Sequence, residues 1–177
     1  MRIEQELPLP SGEATLRQID RQDIDAWYRC LSDPHVTEHT SWSIASAAEL
    51  APLVTSYLSS DPDSPIRLAV LRQTDSAFLG TVGFHTISTR HRTAEIAYEF
   101  ACEHWGRGLA SQCCRAMVEW GFVQRRYVRI QATVLDSNHA SAHMLERCGF
   151  VFEGVLRHYR IVRGEPRNYR LYAITPN

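Results

Sequence analysis

The spacing of hydrophobic and polar positions changes several times along the chain, and each spacing predicts one element. Residues 14–19 predict a first strand. After Asp20, a suitable helix cap, apolar residues recur at intervals of three and four, as on one face of a helix. These residues are Ile24, Trp27, Tyr28 and Leu31. Asp33-Pro34 would end this helix, because a residue before proline disfavours helical backbone.

A second helix is predicted to follow Ser46, which forms a capping-box pattern with Glu49. Its apolar stripe consists of Leu50, Leu53, Val54 and Tyr57. Pro52 lies within the stripe and has no amide hydrogen, so we expect the helix to start late or to kink. Residues 59–65 are rich in turn-forming residues and predict a loop.

Three strands are predicted in close succession, over residues 67–71, 78–87 and 94–100. Their short connections favour antiparallel hairpins. The third strand alternates, with Ile96, Tyr98 and Phe100 on one face and Glu95, Ala97 and Glu99 on the other. Two carboxylates are therefore expected to share one strand face.

The second half of the chain returns to helical spacing. Residues 108–122 and 138–147 predict helices, the second ended by Gly149, while residues 127–135, 151–162 and 168–174 predict strands. Residues 163–166 would form the last turn. A helix joins the fourth and fifth strands, so these strands should be parallel. The order β-α-α-β-β-β-α-β-α-β-β predicts an α/β fold of the α+β type, a mixed sheet with helices on both faces.

The length, charge and composition of the chain exclude several classes of protein. The chain has 177 residues, which suits a single domain over residues 1–177. Its net charge of −1 argues against an extended nucleic-acid or anionic-membrane surface and leaves a local basic patch open. No apolar run approaches the ~20 residues of a membrane span, and the N-terminus lacks a signal-peptide core. Five cysteines without CxxC spacing indicate reduced thiols, so we expect a cytoplasmic protein without nucleic-acid or membrane partners.

The segment from Glu103 to Ala110 predicts a glycine-bearing turn between a strand and a helix. Gly106 and Gly108 would let the main chain approach a ligand closely, and the helix start offers unpaired amides and the positive end of its dipole. Arg107 would add a positive charge. These features suit a phosphate or pyrophosphate, although a turn without a ligand has the same pattern. The segment matches neither G-x-x-x-x-G-K-[ST] nor G-x-G-x-x-G, which disfavours nucleoside triphosphate and NAD binding.

Two stretches resemble the GNAT acetyltransferase family. The first, Trp105-Gly106-Arg107-Gly108-Leu109-Ala110, resembles the [Q/R]-x-x-G-x-[G/A] signature of that family. The second runs from Asn138 to Phe150, with Glu153-Gly154 after it, and resembles the N-x-x-[AS]-x-x-x-[YL]-E-K-x-G-F-x-x-E-G segment. Trp105, at the first position of this signature, resembles the tryptophan of the RimJ/RimL-like branch, which acetylates the N-termini of ribosomal proteins. The opening Leu16-Arg17 and Asp33-Pro34-x-Val36 also resemble that branch.

The resemblance implies a GNAT-like fold and an acetyl-CoA-dependent N-acetyltransferase that moves an acetyl group to a primary amine. No arrangement of a cysteine with an activating histidine is indicated, which favours direct attack over a covalent acetyl-enzyme. The acceptor would be a protein N-terminus, an antibiotic, a polyamine or another small amine, and the protein a monomer or homodimer. A non-catalytic module that senses acetyl-CoA is the alternative. The expected cofactor-binding residues are Phe100, Ala101, Trp105, Gly106, Arg107, Gly108, Leu109, Ala110, Asn138 and Ser141.

Acetyl transfer needs a neutral amine, a polarised thioester and a proton for the departing thiolate. We expect Glu99, close to the glycine turn, to take the proton of the amine, with Glu95 as the other candidate. The alternative for both is a solvated charge on the sheet face. The resemblance places the thioester carbonyl at a main-chain amide near Phe100 or Ala101.

Leu145 occupies the helix position at which many members of the family carry a tyrosine acid. Ser141, one turn earlier, is the expected replacement, with an ordinary polar residue as the alternative. Tyr159 and Tyr169 are expected to pack within strands. His139 and His143 have the i, i+4 spacing of a zinc pair but no evident third ligand, so no metal site is predicted.

Overall fold

One mixed sheet organises the molecule. The computed structural model describes residue 3, residues 6–42 and residues 44–176. Eight strands of this part form a sheet in the order β1-β2-β3-β4-β5-β6-β8-β7. The strands are β1 (Leu7–Pro8), β2 (Ala14–Gln18), β3 (Ile66–Arg72), β4 (Phe78–Ser88), β5 (Thr93–Phe100), β6 (Arg129–Leu135), β7 (Val151–Val162) and β8 (Glu165–Ile174). The helices are α1 (Ile24–Leu31), α2 (Pro34–Thr37), α3 (Leu50–Tyr57), α4 (Leu109–Val123) and α5 (His139–Arg147). Within the described ranges, no helix has both the length and the apolarity that a membrane crossing requires.

Two hydrophobic clusters cover the two faces of the sheet. On one face α4 and α5 pack over the central strands, with Met117 and Leu145 fully buried. On the other face α1 and α3 pack through Trp27 and Val54. Because β3 is covered on both sides, six of its seven residues are buried, although one of them is Arg67. The prediction of an α/β fold with helices on both faces is confirmed.

The strand pairing follows the lengths of the connections. The first five strands are antiparallel neighbours, as the short links predict. β5 and β6, which α4 connects, are parallel. β8 then lies between β6 and β7 and is antiparallel to both.

β5 and β6 part soon after they begin. Their pairing covers Thr93–Arg129, Ala94–Ile130 and Glu95–Gln131, whereas β5 runs on to Phe100 and β6 to Leu135. Strand edges that have lost a neighbour expose N–H and C=O groups. The middle of the sheet therefore contains a cleft whose walls offer main-chain hydrogen bonds.

The last hairpin is tighter than predicted. β8 begins at Glu165 rather than at residue 168, so the predicted turn over 163–166 is wrong. Arg163 and Gly164, with φ of +51° and +84°, reverse the chain in two residues. Such two-residue turns keep the twist of both strands, so pairing extends to Val162–Glu165.

The segment before β3 also differs from its prediction. Within the described residues Ser46 makes no side-chain capping bond, so the predicted capping box is wrong. A 3-10 turn over Ala47–Glu49 opens the segment, and α3 starts late with Pro52 in its first turn, where the missing amide hydrogen matters little. Two short elements, β1 and α2, are additional to the predicted order.

Candidate functional site

The parting of β5 and β6 opens a cleft of about 980 Å³ that is lined from both faces of the sheet. On the side of α4 and α5 its lining includes Gly108 and Ser141. On the side of α1 and α3 it includes Trp42, Tyr57 and Glu99. Two molecules can therefore meet in the middle of the sheet from opposite faces.

The glycine turn forms one end of this cleft. Gly106 and Gly108 have φ of +74° and +80°, a conformation that glycine adopts without strain. Gly108 is the N-cap of α4 and has no side chain with which to bind the first amides of the helix, so these amides stay available. A methyl group added to either glycine would have no neighbouring atom within 4 Å. The turn is therefore an accessible helix N-terminus of the kind that binds anions.

Most of the predicted cofactor-binding residues line the cleft. They are Phe100, Trp105, Gly106, Gly108, Leu109, Ala110, Asn138 and Ser141. Arg107 and Ala101 are outside the lining. Arg107 is exposed.

Trp105 ties the glycine turn to the end of β5. Its indole Nε1 donates a 2.8 Å hydrogen bond to the carbonyl oxygen of Phe100. Trp105 is nevertheless 50% exposed and lines the cleft. The turn is thus held close to the strand end without being closed.

One main-chain amide at the end of β5 is directed into the gap. The Ala101 amide donates to the carbonyl of Leu79 at 3.1 Å, so it is already used within the sheet. In an antiparallel ladder the main-chain groups of alternate residues point to opposite sides. The amide of Phe100 therefore points away from β4, toward the space that β6 has left. Of the two expected thioester donors, the geometry leaves Phe100.

Glu99 lies on the cleft wall on the side of α1 and α3 and is 9% exposed. Its Oε2 accepts a 2.6 Å hydrogen bond from Thr81 Oγ1 and lies 3.3 Å from Arg67 Nη1. The guanidinium of Arg67 is buried beside the rings of Trp27 and Tyr57. The alternative of a solvated charge is wrong, because this carboxylate belongs to a buried ion pair.

Glu95 is also buried, but its oxygens are more fully occupied. Gln131 Nε2 and Thr133 Oγ1 donate to it at 3.0 and 2.6 Å, and His85 Nε2 and Arg160 Nη2 lie 3.1 and 3.5 Å from its Oε1. Burial by itself would raise the pKa of Glu95, but the hydrogen bonds from His85, Thr133 and Gln131 outweigh burial and lower this pKa to about 2. Glu95 is therefore a permanent anion and a weak base.

A pair of hydroxyl groups bridges β5 and α5 at the cleft. Tyr98 Oη and Ser141 Oγ are 2.6 Å apart. Asn138 caps α5, since its Oδ1 accepts from the Ser141 amide at 3.0 Å, and this bond fixes the first turn of the helix. Burial raises the pKa of Tyr98 well above its ordinary value, so the phenol stays protonated. Leu145 is 0% exposed and belongs to the core.

Four residues of the site escaped the sequence analysis. All four lie within predicted strands, where the alternation of residues does not indicate a role in a site. They are Arg67, Thr81, His85 and Tyr98. The one available signal was Arg67, an arginine next to the apolar run Leu68–Leu71 of a predicted strand, because an arginine that is buried with such a strand requires a partner for its charge. Tyr98 alternates with Ile96 and Phe100 and is therefore counted as a core position.

The other tyrosines, cysteines and histidines considered from the sequence have no catalytic role in this arrangement. Tyr169 is buried on the cleft wall, and Tyr159 packs against its ring at 5.6 Å. Burial raises the pKa of the Cys113 thiol to about 12, which is unsuited to a nucleophile. His139 and His143 are exposed, and the described residues contain no group of three or more His, Cys, Asp or Glu side chains that could hold a metal ion.

Comparisons with known proteins agree with this architecture. A family model described as the acetyltransferase (GNAT) domain matches residues 13–151. The uncharacterized N-acetyltransferase YoaA of Bacillus subtilis is 34% identical over 168 residues, which cover 94% of this chain and 95% of that protein. The chain therefore belongs to the GNAT acetyltransferase family. It is an N-acetyltransferase by family, and the GNAT fold expected from the sequence is confirmed.

Solved structures show the same fold. RimL, a ribosomal L7/L12 alpha-N-protein acetyltransferase in complex with coenzyme A, has a TM-score of 0.87 at 19% identity, covering 97% of this chain and 98% of that chain. The spermidine N-acetyltransferase of Vibrio cholerae in complex with CoA and spermine has a TM-score of 0.82 at 24% identity, covering 93% and 96%.

Proposed function

We propose that the chain binds acetyl-CoA in the cleft between β5 and β6 and transfers its acetyl group directly to a primary amine, the α-amine of a protein N-terminus. The observation that carries this proposal is the cleft itself. It is open to both faces of the sheet and is bordered by an uncapped helix N-terminus at Gly108. The proposed location is the cytoplasm, which reduced cysteines suit, and the protein acts as a monomer or homodimer.

The coenzyme is proposed to enter from the side of α4 and α5. The amides of Gly108, Leu109 and Ala110 would bind its pyrophosphate, as an anion at a helix N-terminus. The pantetheine arm would then follow the free edge of β5 toward Phe100. There the Phe100 amide would donate to the thioester oxygen, where negative charge develops during attack. Arg107 and the Ala101 amide have no part in this arrangement.

The amine is proposed to enter from the side of α1 and α3, where Glu99 lies. Glu99 would take the proton that the ammonium loses, because one carboxylate oxygen is left after the bonds to Thr81 and Arg67. Glu95 is less suited, since a carboxylate with a pKa of about 2 holds a proton weakly. Ser141, on the opposite side of the thioester from the amine, would supply the hydroxyl group that stabilises the departing sulfur.

An α-amine is favoured over a polyamine by charge. Two arginines line this side of the cleft, Arg67 beside Glu99 and Arg160 beside Glu95. A polyammonium chain would meet these guanidinium groups. An α-amine has a pKa of about 8 and loses its proton near neutral pH at a cost of about 1.4 kcal/mol, compared with nearly 5 kcal/mol for a lysine side chain.

Coenzyme release tests the activity. Purified protein is incubated with acetyl-CoA and a peptide that has a free N-terminus, and free thiol is measured. The same peptide with a blocked N-terminus and spermidine serve as comparison acceptors. Steady thiol release with the unblocked peptide alone is expected. Binding of acetyl-CoA without turnover of any acceptor would instead support a non-catalytic sensor.

A glycine variant tests the binding site. Gly108→Glu places a carboxylate where the pyrophosphate is proposed to bind and should abolish acetyl-CoA binding, measured by quenching of the intrinsic tryptophan fluorescence. Gly12→Glu is the matched control, because Gly12 has a similar φ of +72° and equally open surroundings but lies in the turn before β2. Unchanged affinity in the Gly108 variant would contradict the proposed site.

A further inference from the structure

We infer that Tyr98 and Ser141 act as one hydroxyl pair that stabilises the departing thiolate, with Tyr98 as a positioning residue for Ser141. This inference rests on the proposed function, since it concerns the sulfur of acetyl-CoA in the same cleft. Both residues line that cleft, on the side of α4 and α5. They lie 43 residues apart in the chain and come from different elements.

The geometry of the pair leaves one hydrogen for the substrate. Two hydroxyl groups carry two hydrogens, and the 2.6 Å bond between Tyr98 Oη and Ser141 Oγ uses one of them. The second hydrogen is free to point into the cleft, whichever group donates within the pair. A hydroxyl that already accepts a hydrogen bond is also a better donor, because hydrogen bonds in a chain polarise one another.

The surrounding structure fixes both groups. Ser141 is held by the cap of α5, where its amide donates to Asn138 Oδ1. Tyr98 is held by the ladder of β5, and its ring packs against the core beneath α4. Leu145, one turn after Ser141, lies in that core and can offer no hydroxyl. The phenol at this site therefore comes from the strand instead of the helix.

The chemical step can be written with these groups. The amine nitrogen attacks the acetyl carbon and forms the C–N bond, the C–S bond breaks, and its electron pair goes to sulfur. One proton of the ammonium goes to Glu99 and then to solvent before the attack, and a second proton leaves the nitrogen by the same route after the C–N bond has formed. The hydroxyl pair donates a hydrogen bond to the thiolate, which later takes its proton from solvent.

The phenol acts as a hydrogen-bond donor and keeps its proton throughout. Burial raises the pKa of Tyr98 above its ordinary value of about 10, whereas a thiol has a pKa of about 8.5. Proton transfer from Tyr98 to the thiolate is therefore uphill.

Removal of the phenol oxygen tests the pair. Tyr98→Phe should lower kcat about tenfold and change the KM for acetyl-CoA less than about twofold, since the bond is needed when charge forms on sulfur. Ser141→Ala should have a similar effect, and the double variant should be little slower than either single variant, as expected for residues that act as a unit. Tyr127→Phe is the control, because it removes a buried hydroxyl of the same core, outside the cleft lining.

A spectroscopic measurement separates this role from a structural one. Bound CoA is titrated by the ultraviolet absorbance of its thiolate. In the wild type the thiol pKa of bound CoA should lie below that of free CoA, and Tyr98→Phe should return it toward the free value. Loss of packing alone would not move this pKa. If Tyr98→Phe does not fold, Ser141→Ala is titrated instead, with Ser141→Thr expected to restore the lowered pKa.

The outcomes distinguish the two proposals. If the wild type releases no thiol with any acceptor, the proposed function fails. If the wild type is active but Tyr98→Phe has unchanged kcat and an unchanged titration, the hydroxyl pair is overturned while the function stands. A double variant whose losses multiply would overturn the joint action of the two groups.

Discussion

Glu95 and Glu99 lie on the same face of one strand, four residues apart, in different surroundings. Glu95 receives hydrogen bonds from Gln131 and Thr133 and is close to His85. Glu99 has one short bond, from Thr81, and the ion pair with Arg67. The same side chain is thus a fixed anion at one position and a candidate base at the other, because Glu95 is bonded through both oxygens whereas Thr81 and Arg67 both contact Oε2 of Glu99.

At the residue scale, Glu99→Gln should slow turnover in a pH-dependent manner. Below the amine pKa of about 8 the loss should be about a hundredfold, because a base must remove the proton; above it the loss should be smaller. The measurement is kcat/KM against pH with the unblocked peptide. Glu103→Gln, an exposed carboxylate of the neighbouring turn, is the control. A loss that is the same at every pH would exclude Glu99 as the base.

Glu95 should contribute to stability in a pH-dependent way. Its pKa falls from 4.5 to about 2 on folding, so the ionised form stabilises the fold above pH 4.5, and this contribution is lost as the pH falls toward 2. The full contribution is on the order of 3 kcal/mol. Urea unfolding of the wild type and of Glu95→Gln should therefore show a difference that shrinks from about pH 6 to about pH 3. A constant difference would contradict the lowered pKa.

At the scale of elements, the two helices that border the cleft begin differently. α4 begins at a glycine that cannot cap it, so its amides stay available for a ligand. α5 begins at Asn138, whose side chain binds the Ser141 amide. One helix start is therefore suited to an anion, and the other is closed and serves to place Ser141.

Asn138→Ala should destabilise the protein by about 1 kcal/mol through loss of this cap. Asn138→Asp keeps an acceptor oxygen and should retain most of the stability, which thermal or urea unfolding will measure. The alanine variant should also lower kcat, since the first turn that carries Ser141 is loosened. Equal stability of the two variants would show that the cap is unimportant.

The contact between β3 and β4 depends on a glycine. A methyl group on Gly83 would overlap the carbonyl oxygen of Ile66 and come within 2.8 Å of the Arg67 Cα. Gly83→Ala should therefore cost about 3 kcal/mol or more, because main chain cannot yield as a side chain can. Gly12→Ala, with open space around the new methyl group, is the comparison for urea unfolding. A loss at Gly83 no larger than at Gly12 would contradict this packing.

At the scale of the whole molecule, three residue pairs of β5 and β6 join the two parts of the sheet. A ligand that follows the free edges would supply hydrogen bonds where the strands have parted. Acetyl-CoA at about a hundred times its Kd should raise the free energy of unfolding by about 2.7 kcal/mol.

Hydrogen exchange should locate this effect. Acetyl-CoA should slow exchange in residues 96–101 and 108–111, which form the cleft wall and the glycine turn, while β2 and the buried β3 should change little. Mass spectrometry of the exchanged peptides provides the measurement. Protection confined to the outer hairpin of β7 and β8 would place the coenzyme elsewhere. That residues 1–177 form one domain stays a prediction, for which a single cooperative unfolding transition is the test.

Much of the fold could be predicted because its signals are local. The helical spacing over residues 108–122 identified α4, and the alternation around Ile96 identified β5. The end of the last hairpin was misplaced because Glu165, Pro166 and Arg167 are poor strand formers by composition. The tight turn at Gly164 carries the pairing through them.

The sequence by itself determined most of the elements, the glycine turn and the two carboxylates on one strand face, since spacing of 2 and 3.6 residues follows from backbone geometry. Only the tertiary structure decided what surrounds each carboxylate. Arg67 reaches Glu99 across β4, and Tyr98 reaches Ser141 across the opening between β5 and α5. Such contacts join residues that are distant in the chain, and they depend on where the strands part, which no local pattern specifies.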